Sequence, residues 1–127
     1  MELLIDSHVA LWWADDPTLL SAPAIQAIAD PANVVWLSSA SAWELAIKVR
    51  GGKLDIDVLA TVTKLSQNGV RLLGIGLDDA VAAGLLDWDH RDPFDRMLVA
   101  QSQRLGLRLA TRDAAMLRYL QRDALVA

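Results

Sequence analysis

The chain is 127 residues long, enough for one domain that buries roughly two thirds of the surface its unfolded form would expose, and 54% hydrophobic content excludes a disordered chain. It has no cysteine, which excludes disulfides, thiolate catalysis and cysteine-held zinc or iron–sulfur centres. A net charge of −4 and a pI of about 4.9 exclude nucleic-acid binding through bulk electrostatics, so any such binding has to be local or cation-assisted.

"ELLI", residues 2–5, predicts a short buried strand ending at Asp6, and "SHVALWWA" continues at once with helical spacing. Ser21 and Pro23 open a second helix to about Ala29. "NVVWLS" is a second strand, and "SASAWELAIKVR" a helix stopped by Gly51 and Gly52. "DVLATVTKLSQN" predicts a further helix, after which Gly69 leads into a third strand, "VRLLGI". "LDDAVAAGLL" is helical, residues 88–91 form a loop, and "DPFDRMLVAQ" opens a helix that runs to about Leu105. "LRLAT" is the fourth strand, "DAAMLRYLQR" the last helix and "ALVA" a short edge strand. No repeat, low-complexity tract or linker intervenes, so residues 1–127 are expected to form a single domain. Strands alternating with helices predict an α/β fold whose central parallel sheet is covered on both faces, with ligands beyond the carboxyl ends of the strands.

That rule gathers the acids. Of the 16 acidic residues 14 are Asp, a type that prefers caps and element ends. Asp6 ends the first strand, Asp113 follows the fourth, and Asp95 lies one turn inside a helix that begins near the same edge; Glu44, early in the helix after the second strand, is a candidate fourth. Taken singly they have ordinary roles: Asp6, Asp92 and Asp113 cap helices, and Glu44 forms an (i, i+4) pair with Lys48. Taken together they repel one another, so a fold that gathers them must neutralise them with protons or cations. Carboxylates without cysteine or clustered histidine suit Mg²⁺ or Mn²⁺, and phosphodiester hydrolysis is the chemistry such a site supports.

Four segments resemble, in the right order and across nearly the whole chain, the motifs of PIN-domain ribonucleases, and more narrowly of the VapC toxins of bacterial and archaeal toxin–antitoxin pairs. They are "LLIDSHVALWW", "SSASAWELAIKVRGGKL", "HRDPFDRMLVAQ" and "LATRDAAM". Ser7 departs from the threonine frequent at its position. The resemblance implies a three-layer α/β/α PIN-like domain, metal ligation and catalysis by Asp6, Glu44, Asp95 and Asp113, RNA as substrate, and inhibition by a cognate antitoxin.

Around those four, Ser41 and Thr111 are candidates to hydrogen-bond the carboxylates; Asp92 is a further candidate, better explained as an N-cap. Lys48, Arg91, Arg96 and Arg112 are candidate phosphate contacts, and Trp88 is the candidate to stack on a base. His8 and His90 are expected to be neither ligands nor catalysts, with His90 close enough to the third motif to touch RNA. Trp36 and Trp43 are assigned to the core. Trp12 and Trp13 cannot both face inward on one helix, so with the apolar composition they predict a homodimer or antitoxin surface. Two competing readings are a PIN-like domain that binds RNA or a partner without cutting, and a Mg²⁺-dependent phosphoacceptor domain. The second would want a lysine near the end of a late strand, whereas the last lysine is Lys64. No basic stretch precedes an apolar segment at the N-terminus, and no apolar run approaches the roughly 18 residues of a membrane span, so a soluble cytoplasmic protein without membrane contact is expected.

Overall fold

Apolar residues alternate between two faces of a five-stranded sheet in the structure, a computed structural model that describes residues 1–127. The strands are β1 (Glu2–Ile5), β2 (Val34–Ser38), β3 (Arg71–Leu73), β4 (Arg108–Thr111) and β5 (Ala124–Val126). They lie in the order β3-β2-β1-β4-β5 with every neighbouring pair parallel. Parallel neighbours need long crossovers, and the helices supply them: α1 (Ser7–Asp15), α2 (Ala22–Ala29), α3 (Ser39–Arg50), α4 (Val58–Gln67), α5 (Leu77–Leu85), α6 (Pro93–Leu105) and α7 (Ala114–Leu120). No helix is long and apolar enough to cross a membrane.

Leu3 and Ile5 of β1, with Val35 and Leu37 of β2, pack against Val9, Ala10, Ala24, Ile28 and Leu65 from α1, α2 and α4. Leu4 and Leu109 point the other way, onto Leu98, Val99, Met116 and Leu120 from α6 and α7. Successive strand residues face opposite layers, which is why β1 is apolar at consecutive positions and why the result is a three-layer α/β/α fold. Six of the seven helices begin at an Asp or Ser whose side chain accepts a backbone N–H, and this absorbs part of the excess of Asp over Glu.

The chain steps outward from β1 to β2 and β3, then returns to add β4 and β5 on the other side of β1. The reversal leaves a crevice at the carboxyl ends of β1 and β4, the switch point at which such sheets bind ligands.

Several expectations are corrected. β3 keeps only three of the six residues in "VRLLGI", since the segment departs from the sheet at Gly74 toward α5. α7 stops at Leu120 because Gln121 takes a φ of 52°, and a 3₁₀ turn over Gln121–Asp123 redirects the chain into β5. Trp43 is not in the core: it is 61% exposed on the outer side of α3, edge-on to Phe94 with ring centroids 5.0 Å apart. Trp36, by contrast, packs against the core on the Leu4 and Leu109 side as expected, half-buried and with its indole nitrogen without a partner. Trp12 and Trp13 are both half-buried against the core, because α1 is flanked on two sides by α3 and α4, and the Arg112 guanidinium lies 4.5 Å over the Trp12 ring.

Candidate functional site

Asp6 stands at the switch point itself. Its Oδ1 accepts the Val9 N–H at 2.9 Å, capping α1, and its Oδ2 accepts the hydroxyl of Thr111 from the end of β4, so one carboxylate ties the two central strands together. The side chain is buried, and burial raises its pKa above the ordinary carboxylate range. The Thr111 and Val9 hydrogen bonds and the charge of His8 pull it back, while Glu44 pushes it further up. Thr111 also accepts the backbone N–H of Asp113 at 3.1 Å, so a single hydroxyl links Asp6 to the start of α7.

Glu44 projects from α3, and its Oε1 accepts the Ser7 hydroxyl at 2.7 Å. The expected pair with Lys48 does not form: the ion pairs of the chain are His90–Asp95 and Arg104–Asp79. Asp95 sits in the first turn of α6, where Asp92 caps the helix by accepting the Phe94 and Asp95 N–H groups at 2.8 and 3.2 Å. His90 Nε2 stands 2.7 Å from Asp95 Oδ2, a hydrogen bond in the Nε2–H tautomer. Burial pushes the Asp95 carboxyl up to about 6; the His90 hydrogen bond opposes this, and the charges of Asp92 and Asp113 add to it. Asp113 caps α7 by accepting the Met116 N–H at 2.9 Å.

These groups meet in one cavity of about 430 Å³, lined by the carboxylates of Asp6, Glu44, Asp92, Asp95 and Asp113, by Ser7 and His8, and by the cations Lys48 and Arg112. Five carboxylates face two fixed cations, and the raised values at Asp6 and Asp95 are the electrostatic signature of that imbalance together with burial. No three of the chain's His, Asp and Glu side chains converge closely enough to make a ready-built cage. The donor set still fits a hard divalent cation, which takes oxygen ligands and completes its shell with water and substrate phosphate.

The remaining candidates divide. Thr111 hydrogen-bonds a carboxylate as expected, but the Ser41 hydroxyl is buried without a partner and reaches none of the acids. Arg96 is not free to clamp a phosphate, because its guanidinium donates to the carbonyls of Ala83, Gly84, Leu86, Trp88 and His90, a cage that fastens the loop before α6. Arg112 lines the cavity while donating to the carbonyls of Leu19 and Ala127. Arg91 is exposed and lies outside the cavity lining. Trp88 stacks on His90 and Tyr119 beside the cavity. Two residues escaped the sequence reading in the roles they have: Ser7, whose partner is 37 positions away, and His90, whose signal was its place five residues before Asp95.

The PIN-domain family profile matches residues 3–120. The chain is 36% identical over 114 residues to Ribonuclease VapC22 of Mycobacterium tuberculosis, which covers 87% of this chain and 86% of that protein. Two solved structures share the fold: a VapBC2 complex from Rickettsia felis bound to a promoter DNA fragment, and a toxin–antitoxin complex from Klebsiella pneumoniae. The first has a TM-score of 0.67 at 12% identity, spanning 100% of this chain and 98% of that one. The second has a TM-score of 0.64 at 17% identity, spanning 98% and 96%.

Proposed function

The chain belongs to the PIN-domain family, among its VapC-type ribonucleases, and on that premise we propose that it is a metal-dependent endoribonuclease that hydrolyses RNA phosphodiester bonds as the toxin of a toxin–antitoxin pair. Residues 1–127 act as one nuclease domain in the cytoplasm, as a homodimer held in check by an antitoxin protein. The observation that carries the reading is the gathering of Asp6, Glu44, Asp95 and Asp113 in one cavity at the β1–β4 switch point.

Asp6, Glu44, Asp95 and Asp113 would hold the cation, with Mg²⁺ or Mn²⁺ favoured by the all-oxygen donor set. When bound, such an ion activates the attacking water and neutralises charge on the phosphodiester. The chain's own contribution is orientation: Thr111 and the Val9 N–H fix the Asp6 carboxylate, Ser7 fixes Glu44, and His90 fixes Asp95. Lys48 and Arg112, on the cavity lining, give the incoming phosphate the only fixed positive charge there. The phosphoacceptor reading lacks the late-strand lysine it wants, since Lys64, the last lysine of the chain, lies on α4 and donates to the Ala14 carbonyl.

The test is cleavage of a mixed, end-labelled RNA pool by the purified chain with Mg²⁺, with Mn²⁺ and with a chelator. Metal-dependent internal cuts are expected; RNA binding without cuts would leave a non-catalytic PIN-like domain.

A further inference from the structure

Beside the acidic cavity runs a second cleft of about 330 Å³, lined by Trp88, Asp89, His90, Ala115, Arg118 and Tyr119. Resting on the nuclease reading above, we propose that this cleft holds one unpaired nucleobase of the RNA, next to the scissile phosphodiester.

Its position argues first. One wall is the loop that carries His90, whose ring is hydrogen-bonded to Asp95. The other is α7, which begins at the Asp113 cap and presents Ala115, Arg118 and Tyr119 at helical spacing along one face. Both walls are therefore rooted in carboxylates of the candidate centre, and a strand whose phosphate lies over those carboxylates has its neighbouring base within reach of the cleft.

Its chemistry argues next. The Trp88 ring stacks with His90 at 4.5 Å and 19°, and with Tyr119 at 4.7 Å and 29°. The loop backbone beneath them is fixed, because Arg96 donates to the carbonyls of Trp88 at 2.5 Å and of His90 at 3.0 Å. A pre-organised aromatic wall gives affinity to any base that can leave its helix, on the order of tenfold per base. Arg118 makes neither ion pair nor hydrogen bond within the chain and stands free for an adjoining phosphate. Asp89 repels phosphate and accepts from base N–H groups, so the base, rather than the backbone, is turned toward the rings. For a chain of net charge −4, stacking is also the contribution to RNA affinity that charge cannot supply.

The experiment takes a short RNA that the wild type cuts at one bond and two copies of it, each with an abasic residue on one side of that bond. KM and kcat are measured in Mg²⁺, and binding of the same labelled RNAs is followed by anisotropy in chelator. An abasic residue on one side, and not on the other, should raise KM and weaken binding roughly tenfold with kcat little changed. Tyr119→Leu and Arg118→Ala should each raise KM for intact RNA, and Tyr119→Leu should no longer distinguish intact from abasic RNA; melting temperatures report the folding of both variants separately. If abasic residues on both sides leave KM and binding unchanged while the wild type still cuts, the subsite is wrong and the nuclease reading stands. If the wild type cuts no RNA with either metal, that reading fails and the subsite fails with it.

Discussion

A carboxylate that is to hold a cation must be kept pointing, and at positions 6, 44 and 95 a different neighbour does so: Thr111, Ser7 and His90. Thr111→Val removes one hydroxyl that serves two partners, the buried Asp6 carboxylate and the Asp113 N–H. The variant should lose about 1.5–3 kcal/mol of stability by denaturant unfolding and about 10–100-fold in RNA cleavage. The two aspartates of "DPFD" should separate by role. Asp92→Asn keeps the cap and most of the cleavage, since Asn caps a helix about as well as Asp. Asp95→Asn should abolish cleavage yet leave the metal-free protein no less stable, apart from a helix-dipole loss of about 0.3–1 kcal/mol, because it removes a carboxyl that burial and its acidic neighbours already push up to about 6. Cleavage surviving in Asp95→Asn would reduce that segment to a helix start. The acids were legible in the sequence because strand ends and helix starts are, and Thr111 was legible with them, two residues before Asp113 in the same segment; Ser7 was not, since nothing local marks a hydroxyl 37 residues from the carboxylate it serves.

Between elements, the clearest polar lock joins α5 to α6. Asp79 is buried, and its carboxylate accepts the Gly76 N–H at 2.9 Å, Gln101 Nε2 at 3.2 Å and Arg104 Nε at 2.7 Å. Burial alone would raise its pKa, but the hydrogen bonds from Gly76, Arg104 and Gln101, together with the Arg104 charge, outweigh it and the net shift is downward. Folded Asp79 therefore binds its proton less readily than the unfolded chain. Its stabilisation is fully present above the unfolded pKa of about 3.9 and is lost as the pH falls through the lower folded value. Asp79→Asn should cost about 2 kcal/mol at neutral pH, moderated by the 39% exposure of the Arg104 side chain, and should flatten the loss of stability measured by urea unfolding below about pH 4. The elements themselves were largely readable, since caps, glycines and apolar period agree at nearly every boundary. The exceptions are places where tertiary context decides: β3 is cut short at the sheet edge, and α7 ends at a positive-φ glutamine that no local signal announces. The Asp79 lock escaped for the same reason, its partners lying 22 and 25 residues away.

At the scale of the whole molecule, the apolar surplus predicted from composition is present, but not at the paired tryptophans. Leu77, Val81 and Leu85 are 79%, 52% and 78% exposed and recur every four residues along α5, so they form one stripe. Trp43 and Ile47 add a second apolar pair on α3, and an apolar hollow of about 250 Å³ lined by Trp43, Ile75, Ala83, Pro93, Phe94 and Met97 joins the two helices. A contiguous face of this kind is unusual on a monomer. A two-fold axis through it would let each copy cover the same face of the other. The acidic cavity is lined instead by residues 6–8, Glu44, Lys48, α6 and the start of α7, so such a dimer leaves room for RNA. Replacing Leu85 by Glu places a charge in the stripe without touching the core. Leu85→Glu should therefore melt within about 0.5 kcal/mol of the wild type when compared as monomers, yet move the light-scattering mass at tens of micromolar from dimer to monomer. Trp12→Phe, on the half-buried side of α1, should leave the mass unchanged. A Leu85→Glu protein that remains dimeric would move the interface away from α5, and a wild type that is already monomeric at that concentration would leave the face for the antitoxin to cover.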